Sequence, residues 1–238
     1  MLLDVLVLPQ LGNNRAQANK RVIVLDILRA TSTIVTALNN GATEVIPVQE
    51  NDEALNLVRS IGRNICLLGG EQKGFKIEGF DLGNSPLEYT RELVSGKKVI
   101  FCTTNGTKAI KAVSSGAEVL IGSFLNLNQI VDYLVGNIQD TTLVCSGREG
   151  TLSLEDLACA GMITRLVTEA IEADLTDSAK VALYTAKQIG RVSLEKFISG
   201  TEHARYLIEN GMGKDLKVCS AINSTPILPR FEGGRIYI

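Results

Sequence analysis

Residues Lys20 to Gly41 read KRVIVLDILRATSTIVTALNNG. Val22 to Leu25 is a short continuous apolar run, the pattern of a strand buried on both faces of a parallel sheet. Asp26 stands where that strand ends. Arg29, Thr31, Ser32 and Thr33 follow, and then a helical spacing of apolar residues (Ile34, Val35, Leu38) that stops at Asn40-Gly41. A carboxylate, a guanidinium and three hydroxyls are therefore expected at the carboxyl end of a strand, facing a helix N-terminus. Unpaired N–H groups and the positive end of the helix dipole favour anions there, and open α/β sheets bind ligands at strand carboxyl ends. An ion pair and a helix cap use the same residue types, so this stretch alone leaves a structural reading and a ligand-binding reading open.

Outward from this stretch, β-like runs alternate with helical patterns. Strands are expected near Leu2–Leu8, Val22–Leu25, Val45–Val48, Ile65–Leu68, Lys98–Cys102, Val119–Ile121 and Leu143–Cys145. Helices are expected near Ser32–Asn39, Asp52–Ile61, Pro86–Val94, Gly106–Ser114 and Asn126–Gly136. Such alternation argues for an α/β fold, a three-layer α/β/α arrangement around a mainly parallel sheet. The final third, from Ser153 to about Asn210, reads as mostly helical, and the Pro- and Gly-containing tail ends in a β-like Arg235-Ile-Tyr-Ile. KRVIVLD…ATSTIVTALNNGATEVIPV from Lys20 echoes KKVIFC…TNGTKAIKAVSSGAEVLIGS from Lys97, down to Gly41-Ala42 against Gly116-Ala117. A duplicated βαβ unit is expected within a single domain over 1–238, with any boundary between two similar subdomains near 90–125.

The bulk numbers narrow the function class. The chain has 238 residues, enough for a substantial core. Its 45% apolar and 21% charged residues are ordinary for a globular protein. A net charge of −2 gives no general attraction to nucleic acid. No apolar run approaches the roughly 20 residues that span a bilayer, and Asp4 and Pro9 interrupt any signal-like start. Neither nucleic acid nor a membrane is expected as a partner, and the cytoplasm is the expected compartment. The five cysteines are scattered, with no CxxC or Cys/His cluster to suggest zinc, and His203 is the single histidine.

Three more loops concentrate chemistry. Gly69-Gly70-Glu71 leads into Lys73 and Lys76 and on to Asn84-Ser85-Pro86. There Ser85, Pro86 and Glu88 read as a helix cap, a first-turn proline and a capping acid. Lys76 is either solvated or an anion contact. Thr103-Thr104-Asn105-Gly106-Thr107 is either a capped Asn-Gly turn or a cradle whose backbone N–H groups approach an oxyanion. Cys145-Ser-Gly-Arg-Glu-Gly150 precedes Ser153-Leu-Glu-Asp156, where Ser153 and Asp156 have capping-box spacing and Glu155 is left for dipole compensation or a ligand. If the strands before these loops run parallel, the loops gather on one edge. Familiar phosphate motifs are absent: Gly213-Lys214 is followed by Asp215, no GxGxxG follows a strand, Asp26-Ile27-Leu28 lacks a second acid, and Cys102 is followed six residues on by Lys108 rather than Arg.

Asp26-Ile-Leu-Arg-Ala-Thr-Ser-Thr33, Gly70-Glu71, Lys76-Ile-Glu-Gly-Phe-Asp-Leu-Gly-Asn-Ser-Pro86, Thr103-Thr-Asn-Gly-Thr107 and Ser153-Leu-Glu-Asp156, taken in order, resemble the signatures of the 2-phosphosulfolactate phosphatases. The resemblance implies an α/β/α enzyme that uses Mg²⁺ to hydrolyse 2-phospho-3-sulfolactate to 3-sulfolactate and phosphate, in coenzyme M biosynthesis. Read together with the four loops, it leaves Asp26, Arg29, Glu71 and Arg148 as the candidate catalytic residues. Thr31, Ser32, Thr33, Lys76, Asn84, Thr104, Asn105, Gly106, Thr107 and Gly147 are then the candidate substrate contacts. Asp26, Glu71, Glu155 and Asp156 are the candidate Mg²⁺ ligands, with Asp26 and Glu71 ranked first because capping accounts for Asp156. A substrate carrying phosphate, sulfonate and carboxylate has roughly four negative charges, so a chain of net charge −2 can hold it only through local cations such as Arg29, Lys76 and Arg148, with the hard ion Mg²⁺ beside them.

Whether water or a covalent nucleophile (Asp26, a hydroxyl, or a thiol such as Cys145) attacks phosphorus stays open. His203 reads either as a surface helix residue or as an acid–base group. Two other functions compete: a Mg²⁺ phosphatase acting on another small phosphorylated carboxylic acid, and a non-catalytic anion-binding domain. A homodimer is the expected assembly.

Overall fold

The computed structural model describes residues 1–8, 20–189 and 192–238. Its strands are β1 (Leu2–Leu6), β2 (Arg21–Leu25), β3 (Glu44–Val48), β4 (Cys66–Gln72), β5 (Phe75–Lys76), β6 (Lys98–Cys102), β7 (Glu118–Gly122), β8 (Thr141–Cys145), β9 (Asp174–Leu175), β10 (Arg230–Glu232) and β11 (Arg235–Tyr237). The helices that matter below are α1 (Ala30–Asn39), α2 (Asn51–Ile61), α3 (Arg91–Val94), α4 (Gly106–Ala112), α5 (Leu127–Gly136), α6 (Leu154–Ala170), α7 (Asp177–Ile189), α8 (Leu194–Ser199), α9 (Glu202–Glu209) and α10 (Lys214–Cys219). Among the described residues, no helix is long and apolar enough to cross a membrane.

All five residues of β2 are buried, Val22 to Leu25 as their unbroken apolar run requires and Arg21 in an ion pair with Glu118. Alternation then sends its side chains to two layers. Ile23 and Leu25 join Leu143, Ile130 and Ile163 in one cluster. Val22 and Val24 join Ile34, Val45, Phe101 and Ile110 in the other. Both faces are covered by helices, which makes the three layers expected from the alternating sequence. After Ser153 the chain is mostly helical, as its pattern predicts; residues 190 and 191 of that stretch lie outside the described residues.

The eleven strands run β5-β4-β6-β3-β11-β10-β7-β2-β8-β1-β9. Two parallel blocks, β4-β6-β3 and β7-β2-β8-β1, flank the antiparallel β10–β11 hairpin. Gly233 and Gly234 have positive φ (56° and 81°) and sit between the paired Glu232 and Arg235, the conformation of a two-residue type I′ turn. The order is mirrored about this hairpin: β2-α1-β3-α2-β4 on one path answers β6-α4-β7-α5-β8 on the other, a pattern a repeated unit would give. Each hairpin strand is antiparallel to its outer neighbour as well, so the two blocks run in opposite directions along the hydrogen-bonded order. A common strand direction is therefore not what gathers the loops. The second apolar cluster does so: it packs α1 and α4 side by side over strands of both blocks, and their leading loops meet.

One expected helix is broken. Pro86–Glu88 is a single 3₁₀ turn and α3 starts afresh at Arg91. Ser85 makes no capping bond; its hydroxyl donates to Asp215 Oδ1 at 2.5 Å, and Glu88 accepts from the Gly83 N–H at 2.8 Å. The capping reading of Ser85 is thus corrected: a buried carboxylate from a distant helix outcompetes a local N–H. At Ser153 the cap forms, its hydroxyl accepting from the Asp156 N–H at 3.3 Å.

Candidate active site

Four loop segments close around one cleft lined by, among others, Asp26, Arg29, Glu71, Asn84, Arg148 and His203. The loop after β2 is held by its own hydroxyls. Thr31 Oγ1 donates to the Asp26 carbonyl at 2.9 Å and accepts from the Asp26 N–H at 3.0 Å. Ser32 donates to the Ile27 carbonyl at 2.9 Å and Thr33 to the Asn84 carbonyl at 2.8 Å. These three buried hydroxyls, expected as substrate contacts, do not line the cleft; they fix the turn that presents Asp26. Its carboxylate accepts from the Ala30 N–H at 3.2 Å, in the first turn of α1. Gly106 opens α4 so close that a Cβ there would lie 2.4 Å from the Ala30 Cβ and 2.9 Å from Asp26 Oδ2. Only hydrogen at that position lets the two helix starts approach the carboxylate together.

Glu71 comes from the other block. Its carboxylate accepts from the N–H of Thr104 at 2.8 Å and of Gly74 at 2.5 Å, and from the Thr104 hydroxyl at 3.2 Å. Thr107 is buried and bonded to Thr103, while Thr104 and Asn105 line the cleft. Asn105 Oδ1 accepts from the Glu149 N–H at 3.3 Å, joining the loop after β6 to the one after β8. Asn84 is buried, lines the cleft, and its Oδ1 has no hydrogen-bond partner, an orphan acceptor of the kind a ligand satisfies.

The four candidate metal carboxylates do not form one ligand set. Among the described residues, no three His, Cys, Asp or Glu side chains group as a metal site. Asp26 and Glu71 line the cleft; Glu155 and Asp156 do not. Asp156 is buried behind it, accepting from the Ile27 N–H at 2.8 Å and the Gly147 N–H at 3.3 Å, so the Gly147 amide is already engaged. Glu155 is buried beside His203 Nδ1, 3.1 Å away. Their different surroundings separate their ionisation. Burial pushes the Asp26 carboxyl above its usual range and the Glu71 charge adds to this, against a hydrogen bond from Ser146, the His203 charge and the Ala30 N–H. Burial, then the charges of Asp26 and Glu155, push Asp156 well above. Burial would also raise Glu155, but the hydrogen bond and charge of His203 bring it below its usual value.

The cations also differ from expectation. Arg29 is buried, with Nη1 donating to Asp215 at 2.7 Å and Nη2 to the Gly74 carbonyl at 2.6 Å. Asp215 lies on α10, and no motif in the sequence marks it. Lys76 is exposed on β5 and does not line the cleft; Lys73 does. Arg148 stacks on the Tyr206 ring, 4.6 Å from its centroid, and the Tyr206 hydroxyl donates to the Lys73 carbonyl at 2.9 Å. His203 lines the cleft rather than an outer helix surface. Cys145 is fully buried in the core, and burial and then the Asp156 charge push its thiol well above the usual range, so it is not a nucleophile facing this cleft.

A family model described as 2-phosphosulpholactate phosphatase matches residues 7–234. A protein of Caldanaerobacter subterraneus subsp. tengcongensis is 42% identical over 93% of this chain and 92% of its own length. One from Clostridium perfringens (strain 13 / Type A) is 41% identical over 99% and 96%, and one from Clostridium acetobutylicum is 40% identical over 92% of each. All three carry the description "Probable 2-phosphosulfolactate phosphatase".

Proposed function

Because the chain belongs to the 2-phosphosulpholactate phosphatase family and is a phosphoric monoester hydrolase, we propose that it hydrolyses 2-phospho-3-sulfolactate to 3-sulfolactate and inorganic phosphate with Mg²⁺ as cofactor, a step of coenzyme M biosynthesis. The charge balance of the cleft carries this reading. Three carboxylates (Asp26, Glu71, Glu149) face three permanent cations (Arg29, Lys73, Arg148) and one imidazole, and Arg29 is already paired with Asp215. A substrate with roughly four negative charges needs more positive charge than that, and a divalent ion beside the carboxylates supplies it.

The donors present fit Mg²⁺. The ion prefers oxygen and is usually held by one or two carboxylates together with waters and substrate oxygens. Asp26 and Glu71 would hold it, with the unpartnered Asn84 Oδ1 alongside. Bound there, Mg²⁺ would polarise the phosphoryl oxygens as a Lewis acid. The protein groups do the rest. Arg148, half-buried and backed by Tyr206, presents a planar fork that matches phosphate, sulfonate or carboxylate oxygens. Lys73 adds a point charge at the mouth. Arg29 acts as a clasp between the Asp26 loop, the Gly74 turn and α10, which keeps the carboxylates in register.

Specificity tests the substrate. Replacing 2-phospho-3-sulfolactate by 2-phospholactate, which lacks the sulfonate, is expected to lower kcat/KM at least about tenfold, one decade being about 1.4 kcal/mol of lost contact. Equal turnover of the two esters would assign the same machinery to another small phosphorylated acid.

A further inference from the structure

His203 stands outside the motifs that carry the family resemblance, and the proposed function gives it no task. It sits in the first turn of α9, whose start is capped by Thr201 accepting from the Ala204 N–H at 3.2 Å. Its Nδ1 lies 3.1 Å from Oε1 of Glu155. Glu155 is only 1% exposed, whereas the His203 side chain keeps 18% of its surface and lines the cleft with Asp26 and Glu71. A buried carboxylate on one nitrogen fixes the ring and its proton: Nδ1–H donates to Glu155, and the other nitrogen is left for a ligand. Among the described residues Nε2 has no hydrogen-bond partner.

We propose that His203 is the proton donor to the leaving oxygen of the phosphomonoester, and that Glu155 is its positioning residue. The inference rests on the phosphatase reading. The leaving group is the alkoxide of a secondary alcohol, a strong base that departs readily only when protonated. In the step, the bond between phosphorus and the ester oxygen breaks and its electron pair goes to that oxygen. The oxygen takes the Nε2 proton and becomes the hydroxyl of the product, and the imidazolium becomes neutral imidazole. Water adds to phosphorus and releases one proton, which restores the imidazolium. The sum is ester plus water giving alcohol plus inorganic phosphate. Other groups lining the cleft are less suited: guanidinium and ammonium groups hold their protons too tightly near neutral pH, the Tyr206 hydroxyl is committed to the Lys73 carbonyl, and Asp26 and Glu71 serve as acceptors.

Leaving-group dependence distinguishes proton donation from anion binding or structural support. Wild type, His203→Gln and Glu155→Gln are assayed with 2-phospho-3-sulfolactate and with p-nitrophenyl phosphate, whose phenolate needs no proton to depart. His203→Gln is expected to lower kcat on the sulfolactate ester by about 10²-fold or more with KM changed little, and to lower turnover of the aryl ester by far less. The ¹⁸O isotope effect on the bridging oxygen of the sulfolactate ester should rise, because the oxygen then leaves with its charge. Glu155→Gln should move both readouts in the same direction, with kcat on the sulfolactate ester falling about tenfold, the scale of a positioning contact. The double variant His203→Gln/Glu155→Gln, which leaves no buried carboxylate unpaired, should repeat the His203→Gln pattern. Equal losses on the two esters, or an unchanged bridging isotope effect, would overturn the assignment. A wild-type enzyme that cleaves neither ester would overturn the proposed function and this inference together. Wild-type turnover of the sulfolactate ester confines any failure to His203.

Discussion

Asp26→Asn is expected to slow phosphate release on the order of 10³-fold, the scale on which removing one charge-stabilising group disables a hydrolase, yet to leave the metal-free protein at least as stable as wild type. The two effects have one origin. Asp26 is 6% exposed, and burial raises its carboxyl above the ordinary value of 3.8. A group whose folded pKa is raised contributes stability that is fully present below its unfolded pKa and lost as pH rises through the folded value. At neutral pH the buried Asp26 carboxyl is therefore a cost to the fold that Asn does not carry. Asn keeps an oxygen for the Ala30 N–H and nearly the same volume. Steady-state phosphate release and a thermal melt in EDTA read the two quantities on one preparation. A Tm several degrees below wild type would make Asp26 a structural residue instead of a functional one.

Arg29→Met is expected to be the most damaging single change to stability in the site, at about 3–5 kcal/mol, because it leaves a buried carboxylate without its cation. The side chains of Arg29 and Asp215 are 3% and 4% exposed and their ion pair is 2.7 Å long. The Gly74 carbonyl loses its donor as well. For a chain of this size the loss corresponds to a Tm decrease of roughly 6–20 °C. Arg29→Met/Asp215→Asn removes the stranded charge and should recover much of the difference, with the Ser85 hydroxyl still within reach of the amide oxygen. Denaturant melts of the two variants give the comparison. A double variant no more stable than the single one would mean that the stranded charge is not the source of the loss.

The parts of this fold that were legible in the sequence are those encoded locally. Val22 to Leu25 announces a strand buried on both faces, and the alternation of such runs with helical patterns announces three layers. Asp26 and Glu71 could be placed because Asp26 directly ends an apolar run and Glu71 follows one after Gly69-Gly70, which puts both near strand ends. What was not legible depends on distant partners. Of the β10–β11 hairpin, the β-like Arg235-Ile-Tyr-Ile was legible as β11, whereas Arg230–Glu232 has three residues, too few for alternation to be read. Ser85 has a perfect local capping context and still bonds to Asp215, 130 residues away. Arg29 meets the same carboxylate across 186 residues. Lys73 sits in the two-residue turn between β4 and β5, with a left-handed φ of 52°, and lines the cleft, whereas Lys76 is exposed on β5 and does not. His203 looked like one polar position on a late amphipathic helix; its role emerges only when Glu155, 48 residues earlier, is seen beneath it.

We propose a metal-dependent phosphatase whose reaction occurs between Asp26 and Glu71. Phosphate release by the wild-type protein from racemic 2-phospho-3-sulfolactate, with Mg²⁺ and again with EDTA, tests it most directly. Turnover with Mg²⁺ that EDTA abolishes and added Mg²⁺ restores is the expected result. Turnover indifferent to EDTA, or no release of phosphate in the presence of Mg²⁺, would contradict the account.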